Sequence, residues 1–268
     1  MDDLRRELAP IPSSAWKEID DEARRTLVPF LAARRIVDFR GPLGWSASAI
    51  ELGRTQEIAK GPGEGVTAAV RKVQRLIELR AEFELSRREL DAVARGAKAI
   101  DLDALRNAAC AIGMAEDRAI FHGYPDGEIQ GIVEAAADRA IALTRDYLKY
   151  PLVVSDALSK LQRDGVGGPF AIALGPDCYR GLTGTAAPGG YPVLQHVQRL
   201  IDGPVFLAPA VRGAVVASLR GGDFELVVGR DFSIGYQDHT TTTVQLYLEE
   251  SMTFRVLSPE AAVPLLYS

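Results

Sequence analysis

Residues 219–259 restrict the fold more than any other stretch of the chain. Apolar and polar residues alternate there with period two, three times over: Phe224, Leu226 and Val228; Val244, Leu246 and Leu248; Met252, Phe254 and Val256. Between them stand Glu225, Gln245, Glu249, Thr253 and Arg255. Successive side chains on a strand point to opposite faces. The pattern therefore predicts an antiparallel sheet with one covered and one open face. Gly221-Gly222, Gly229 and Asp238-His239-Thr240 read as its turns. A sheet this late in the chain is expected to pair with strands from early in it.

The early residues supply candidates. Ser13 or Ser14 is a good N-cap for a helix running to Val28, just before Pro29, with Trp16, Ile19, Ala23 and Leu27 on one stripe. Leu31 to Val37 reads as a short strand, followed by the Gly41-Pro42-Leu43-Gly44 turn. Two extended arms, 47–59 and 66–85, flank Lys60-Gly61-Pro62-Gly63-Glu64-Gly65, which predicts a long hairpin. A lone long hairpin is marginal in water and leaves its edges unpaired, so this one needs a neighbour.

Further on, Ser86-Arg87-Arg88-Glu89 matches a capping box opening a short helix to Arg95. Asp101 or Asp103 caps a longer helix through about Phe121, ended by Gly123. A helix through Val154, Leu158 and Leu161 stops at Gly165. Strands at 170–174, 205–207 and 214–219 alternate with a helix opened by Pro192. That order predicts a compact α/β part at about 137–218, inserted before the C-terminal sheet.

Composition excludes several functions. A net charge of −5 argues against nucleic-acid binding by bulk electrostatics. Cys110 and Cys178 lie far apart and read as buried, reduced thiols. The first ten residues lack the apolar core of a signal peptide, and no apolar run reaches membrane-spanning length, so a cytoplasmic protein is expected.

Chemistry is sparse. His122, His196 and His239 have no second ligand at metal spacing. Ser46 and Ser233 each miss one glycine of a nucleophile elbow. Gly61-x-Gly63-x-Gly65 lacks the third glycine and the buried strand of a dinucleotide loop. Glu116 and Asp117 are adjacent on a helix and do not face each other, so they read as a solvated or interface ion-pair face. No catalytic residue, metal ligand or cofactor site is expected.

Many short motifs, each weak, occur in one order along the chain. They are Leu8-Ala9-Pro10 with Trp16-x-x-Ile19-Asp20; Arg34-x-x-Val37-Asp38 with Gly41-Pro42-x-Gly44-Trp45; and Leu79-Arg80-x-x-Phe83 with Glu89-Leu90-Asp91. Then come Glu116-Asp117-x-x-Ile120-Phe121-x-Gly123; Gly168-Pro169; Gly190-Tyr191-Pro192; Arg220-Gly221-Gly222-Asp223-Phe224; Asp231-x-Ser233-Ile234-Gly235-Tyr236; and Glu250-Ser251-x-Thr253-Phe254. In this order and spacing the chain resembles the encapsulins, shell proteins of bacterial nanocompartments. That group is also described as linocin- or bacteriocin-like, and as encapsulating protein of a dye-decolorizing peroxidase.

The resemblance implies an α+β fold, that of tailed-phage major capsid proteins of the Hong Kong 97 type. It implies an N-terminal arm, helix and first strand at 1–45, an extended loop at 46–78 and a peripheral domain at 79–136. An axial domain at 137–218 and the peripheral domain's C-terminal sheet at 219–268 would follow. It further implies a self-assembling icosahedral shell, T=1 in its smallest form, enclosing a cargo enzyme that carries a C-terminal targeting peptide. The cargo expected is a dye-decolorizing peroxidase or a ferritin-like protein. The residues implied to hold the peptide are Ile19, Ala23, Leu27, Phe30, Arg34, Ile36 and Asp38, with Phe232, Ile234 and Tyr236. A pore loop is implied at Gly184, Pro188, Gly189, Gly190 and Tyr191. A phage coat protein would use the same fold, although a DNA-filled shell wants a more basic lumen or a scaffold. A protease or bacteriocin-like activity finds no triad or metal site.

Overall fold

The structure, a computed structural model, describes residues 3–267; the first two residues of the expected arm and Ser268 lie outside them. A 3-10 turn at Arg6–Leu8 precedes α1 (Ser13–Leu27). The strand expected at 31–37 is absent. Two 3-10 turns, Val28–Phe30 and Ala33–Arg35, occupy this region instead. The reason is a tertiary contact: the buried Asp117 carboxylate accepts the backbone N–H groups of Ala32 and Ala33 at 3.0 and 2.9 Å, fixing a turn where a strand would need a ladder.

The chain continues through β1 (Asp38–Arg40), β2 (Ala49–Ile58), β3 (Ala68–Arg75), β4 (Ile77–Ser86), α2 (Arg87–Ala94) and α3 (Asp103–His122). After α3 come α4 (Ile132–Ala135), β5 (Ile141–Leu143), α5 (Tyr150–Arg163), β6 (Phe170–Leu174), α6 (Pro176–Gly184), α7 (Val193–Ile201), β7 (Val205–Leu207) and β8 (Ala214–Ser218). Three strands finish the chain: β9 (Phe224–His239), β10 (Thr243–Val256) and β11 (Ala262–Tyr267). Ser86 stands at the N-cap of α2 as expected, but its side chain makes no capping bond.

One sheet runs β1-β9-β10-β4. β10 is antiparallel to both β9 and β4, and β1 joins β9 in parallel. Early strands do pair with the C-terminal ones, through β1 and β4. The second arm of the expected hairpin is divided at Leu76, whose N–H donates to the Ser48 carbonyl at 2.9 Å. Before that residue β3 pairs with β2; after it β4 enters the sheet.

The other large sheet runs β5-β11-β8-β6-β7. The expectation that 219–268 forms one sheet is corrected here. β11 leaves the β9–β10 sheet and inserts between β5 and β8. Ala262, Val263 and Leu265 are fully buried. An apolar strand of this kind belongs in a sheet interior covered on both faces.

Two hydrophobic cores result. One joins α1, α2 and α3 to the end of the first sheet around Phe83, Ile234, Tyr236, Leu246 and Leu248. The other joins the second sheet and its helices to the opposite end, around Phe224, Leu226, Met252 and Phe254. The expected open face is closed along its middle, while Glu225, Gln245 and Arg255 stay half-buried. Glu249, Ser251 and Thr253 are buried. Trp45 stacks on Arg230 at 4.2 Å over that face. Gly229 is no turn but an interior residue of β9. A Cβ there would stand 2.6 Å from Ser251 Oγ and 2.8 Å from Leu76 Cδ2, so only glycine lets the hairpin base lie this close.

Candidate functional site

A concavity with a volume of about 450 Å³ lies between α1 and β9. Ala23 and Leu27 of α1 face it because they follow the buried Ala15 and Ile19 at helical spacing. Val28 and Leu31 extend that wall, and Phe232, Ile234 and Leu248 form the opposite one. Arg6, Asp20, Arg24, Arg34 and Asp231 supply charge to its lining. The N-terminal arm closes one side. Tyr236 N–H donates to the Leu4 carbonyl at 2.9 Å, so the arm already uses one rung of the β9 edge. Arg6 Nη2 donates to Asp20 Oδ2 at 2.7 Å, and its guanidinium lies 3.9 Å from the Trp16 ring. An apolar trough beside a strand edge suits an extended segment: side chains fill the trough and main chain meets the edge.

Beneath this trough is a buried charge cluster. Arg34 donates to Glu116 Oε2 at 2.6 Å, to Glu250 Oε1 at 2.7 Å and to Asp231 Oδ1 at 2.9 Å. Burial opposes the charge on Arg34, but bonding to Glu116 and the charges of Glu116 and Glu250 outweigh it, so the guanidinium pKa is raised. Burial raises the Asp117 carboxyl to about pH 7 against two backbone bonds that favour its charge. Glu250 is pushed well above the usual carboxylate range, first by burial and then by Glu116. The expectation of a solvated or interface ion-pair face is thereby corrected: Glu116 and Asp117 are both fully buried. They still point different ways, Glu116 to Arg34 and Asp117 to the 32–33 turn.

Of the residues implied to hold a peptide, the trough gathers Ala23, Leu27, Arg34, Phe232 and Ile234. The others lie elsewhere. Ile19 is fully buried in the core behind α1. Phe30 packs on α3, where a Cβ at Gly113 would come within 3.1 Å of it. Ile36 belongs to the second core. Asp38 accepts the Gly222 N–H at 2.6 Å and so holds the turn before β9. Tyr236 donates to or accepts from His239 Nδ1 at 2.5 Å and lines a different hollow, with Arg80 and Tyr247.

The sequence reading missed Asp231, Glu250 and the Leu4–Arg6 arm. Glu250 had a legible signal, and so did the burial of Glu116. Glu250 shares the even register of Leu248 and Met252, so it falls on the covered face. Glu116 falls four residues after Ile112 and four before Ile120, on the buried stripe of α3. The register shift between Glu249 and Ser251 is a bulge: Asp231 and Phe232 both stand opposite Glu250, which aims Asp231 at Arg34 and Phe232 at the trough.

The implied pore loop begins at Gly184, the last residue of α6. Pro188, Gly189 and Gly190 are exposed, the two glycines with φ of 93° and 81°. Tyr191 folds back on α7, 4.7 Å from the His196 ring. His122 Nε2 accepts the Arg212 N–H at 3.3 Å, so all three histidines have local partners. Cys178 is buried and Cys110 only half-buried; both are free. Among the described residues no group of acidic, histidine or cysteine side chains could hold a metal ion, and no helix is long and apolar enough to cross a membrane.

Comparison with known proteins agrees with this architecture. The family model described as "Encapsulating protein for peroxidase" matches residues 1–253. A type 1 encapsulin shell protein of Rhodospirillum rubrum is 57% identical, over 99% of this chain and 96% of its own length. Among solved structures, a virus-like particle from Pyrococcus furiosus superposes with a TM-score of 0.61 at 15% identity, covering 91% of this chain and 97% of that one. The capsid of Myoviridae phage XM1 gives 0.53 at 11% identity, covering 89% and 92%. These distant likenesses establish the α+β capsid fold, and the close one narrows it: the chain belongs to the type 1 encapsulin family of capsid-like shell proteins, which are not enzymes.

Proposed function

We propose that copies of this chain assemble in the cytoplasm into an icosahedral T=1 shell, and that the trough between α1 and β9 captures the C-terminal targeting peptide of an enclosed enzyme. The observation that carries this reading is the pairing of Ala23 and Leu27 with Phe232 and Ile234 across about 450 Å³ beside a strand edge. The family description names a peroxidase, which supports a dye-decolorizing peroxidase as the cargo; a ferritin-like protein is the second candidate. Apolar pockets would take alternate side chains of the peptide, while Asp20, Arg24 and Asp231 fix its register. Arg34 acts indirectly, since its guanidinium is held by Glu116, Glu250 and Asp231.

In the same shell the loop containing Gly184, Pro188, Gly189, Gly190 and Tyr191 would line an opening at a symmetry axis. Its small, uncharged residues fit passage of small solutes with little charge selection.

The test is co-expression with the cargo gene. Phe232 is half-buried and projects into the trough, so Phe232→Asp is expected to leave shells assembling but empty, read by negative-stain imaging and by mass spectrometry of the purified particles. Full cargo loading in that variant would remove the trough from the function.

A further inference from the structure

The joint beneath the trough carries a charge imbalance. Glu116 on α3, Asp231 on β9 and Glu250 on β10 converge on one cation, Arg34, and Asp117 stands next to Glu116, bonded to the adjoining 32–33 turn. Among the described residues Arg34 is the one cation bridged to Glu116, Asp231 and Glu250. Arg230, next to Asp231, turns away to pair with Glu249 and Asp3. With all four acids ionised, three negative charges would stay uncompensated in a site where Glu116 and Glu250 are fully removed from water.

A second observation points to what is missing. Glu250 Oε2 is buried and meets no donor. The Glu250 carboxyl also lies beside that of Glu116, because Arg34 Nη2 donates to Glu250 Oε1 at 2.7 Å and to Glu116 Oε2 at 2.6 Å. Two carboxylates in contact repel unless one of them is protonated, as in acid dyads. A proton on Glu250 removes a buried charge and supplies the donor that the contact lacks.

We propose that Glu250 holds a proton and donates it to Glu116, and that this proton latches residues 28–40, through Arg34, onto α3 and β10. The floor of the trough is then a proton-operated joint. Burial and the neighbouring Glu116 charge both favour the neutral form of Glu250, against the pull of Arg34. Asp117, which pins the 32–33 turn of the same segment, responds in the same direction. For carboxyls whose folded pKa is raised, the stabilisation is complete in acid and is lost as pH rises through the folded value. The latch is therefore closed at low and neutral pH and loosens on the alkaline side. Arg34 and Asp231 also line the trough, so loosening alters its floor; this last consequence alone rests on the cargo-docking reading.

The test uses intact, cargo-free shells, so its failure is separate from any failure of cargo docking. Hydrogen exchange of residues 28–40, corrected for the intrinsic pH dependence, is followed from about pH 5 to about pH 9. Wild-type exchange is expected to rise about tenfold across this range, whereas Glu250→Gln, permanently neutral with a donor in place, stays nearly flat. Infrared spectra should show a protonated carboxylic acid in wild-type shells at neutral pH that Glu250→Gln lacks. A flat wild-type profile, an equal rise in the variant, or no Glu250-dependent acid band would overturn the proposal. Should Glu250→Gln not assemble, carbon-13 labelling of glutamate in wild-type shells decides it: a protonated glutamate at neutral pH supports the latch, and its absence refutes it.

Discussion

The hairpins β2–β3 and β9–β10 are both antiparallel and both carry scattered β-branched and apolar residues, yet their surroundings are opposite. In β10, Val244 and Leu246 are 0% exposed and Leu248 is 1% exposed. In the other hairpin and its tip, Ile58, Val66, Val70 and Val73 are 46–56% exposed. The difference is one of partners. β10 lies between β9 and β4 and is covered on both faces, whereas β2 and β3 pair only with each other. An apolar face left open within a chain marks a surface to be covered by something else. We propose that in the assembled shell a neighbouring copy covers this face on every subunit, leaving no free edge.

Three substitutions sharpen that contrast, measured first as loss of protomer stability. The largest effect is expected for Phe254→Ala in β10, a fully buried ring at the meeting of the sheet and the second core. It should cost about 3–5 kcal/mol in denaturant unfolding. A ring that could be removed for under about 1 kcal/mol would mean that β10 is not the buried member of the pair.

Next comes Asp117→Asn, which tests how far the β9–β10 side depends on its charged joint. The wild-type carboxyl, raised to about 7 by burial, gives stability that is fully present below its usual range and is lost as pH rises through about 7. Stability should therefore fall between about pH 4 and about pH 8, and the variant should remove about 2–4 kcal/mol of that fall. Unfolding midpoints across this range give the answer. An unchanged slope would mean that the two backbone bonds from Ala32 and Ala33 hold Asp117 ionised throughout.

The smallest effect on the protomer is expected for Val70→Asp in the hairpin. Its side chain is exposed, so unfolding of the dissociated chain should change by no more than about 0.5 kcal/mol. Assembly, read by size-exclusion chromatography and imaging, should nevertheless be lost, because the aspartate would meet an apolar surface of the next copy. Normal shells from this variant would show that the exposed valines do not make a subunit contact.

Local pattern went a long way with this chain. α1, the long α3, the hairpin and the strands at 170–174, 205–207 and 214–218 follow from periodicity and from glycine or proline punctuation near their ends. Local pattern failed where a distant side chain took over the backbone. Residues 31–37 form a turn because Asp117, more than eighty positions later, accepts the N–H groups of Ala32 and Ala33. Gly229 looked like a turn because glycine often is one, but here it makes room for Leu76. Half of the implied peptide-holding residues reach the trough. The rest lie elsewhere, because a motif matched along the sequence carries a residue's position without saying what lies around it in the fold. Asp38 reached a turn and Ile36 a second core instead.

The sequence by itself determined α1, α3, the hairpin and the strands β6, β7 and β8, the early-to-late pairing of the first sheet and, through its chain-long motifs, the family. Tertiary structure alone decided that β11 crosses to the second sheet, that the arm at Leu4 takes a rung of the β9 edge, and that Glu116, Asp231 and Glu250 meet at Arg34. The physical reason is range. Alternation, capping and turn chemistry act over a few residues, whereas a bulge in β9 and the burial of Glu250 bring together groups up to 216 positions apart, where removal from water changes their protonation.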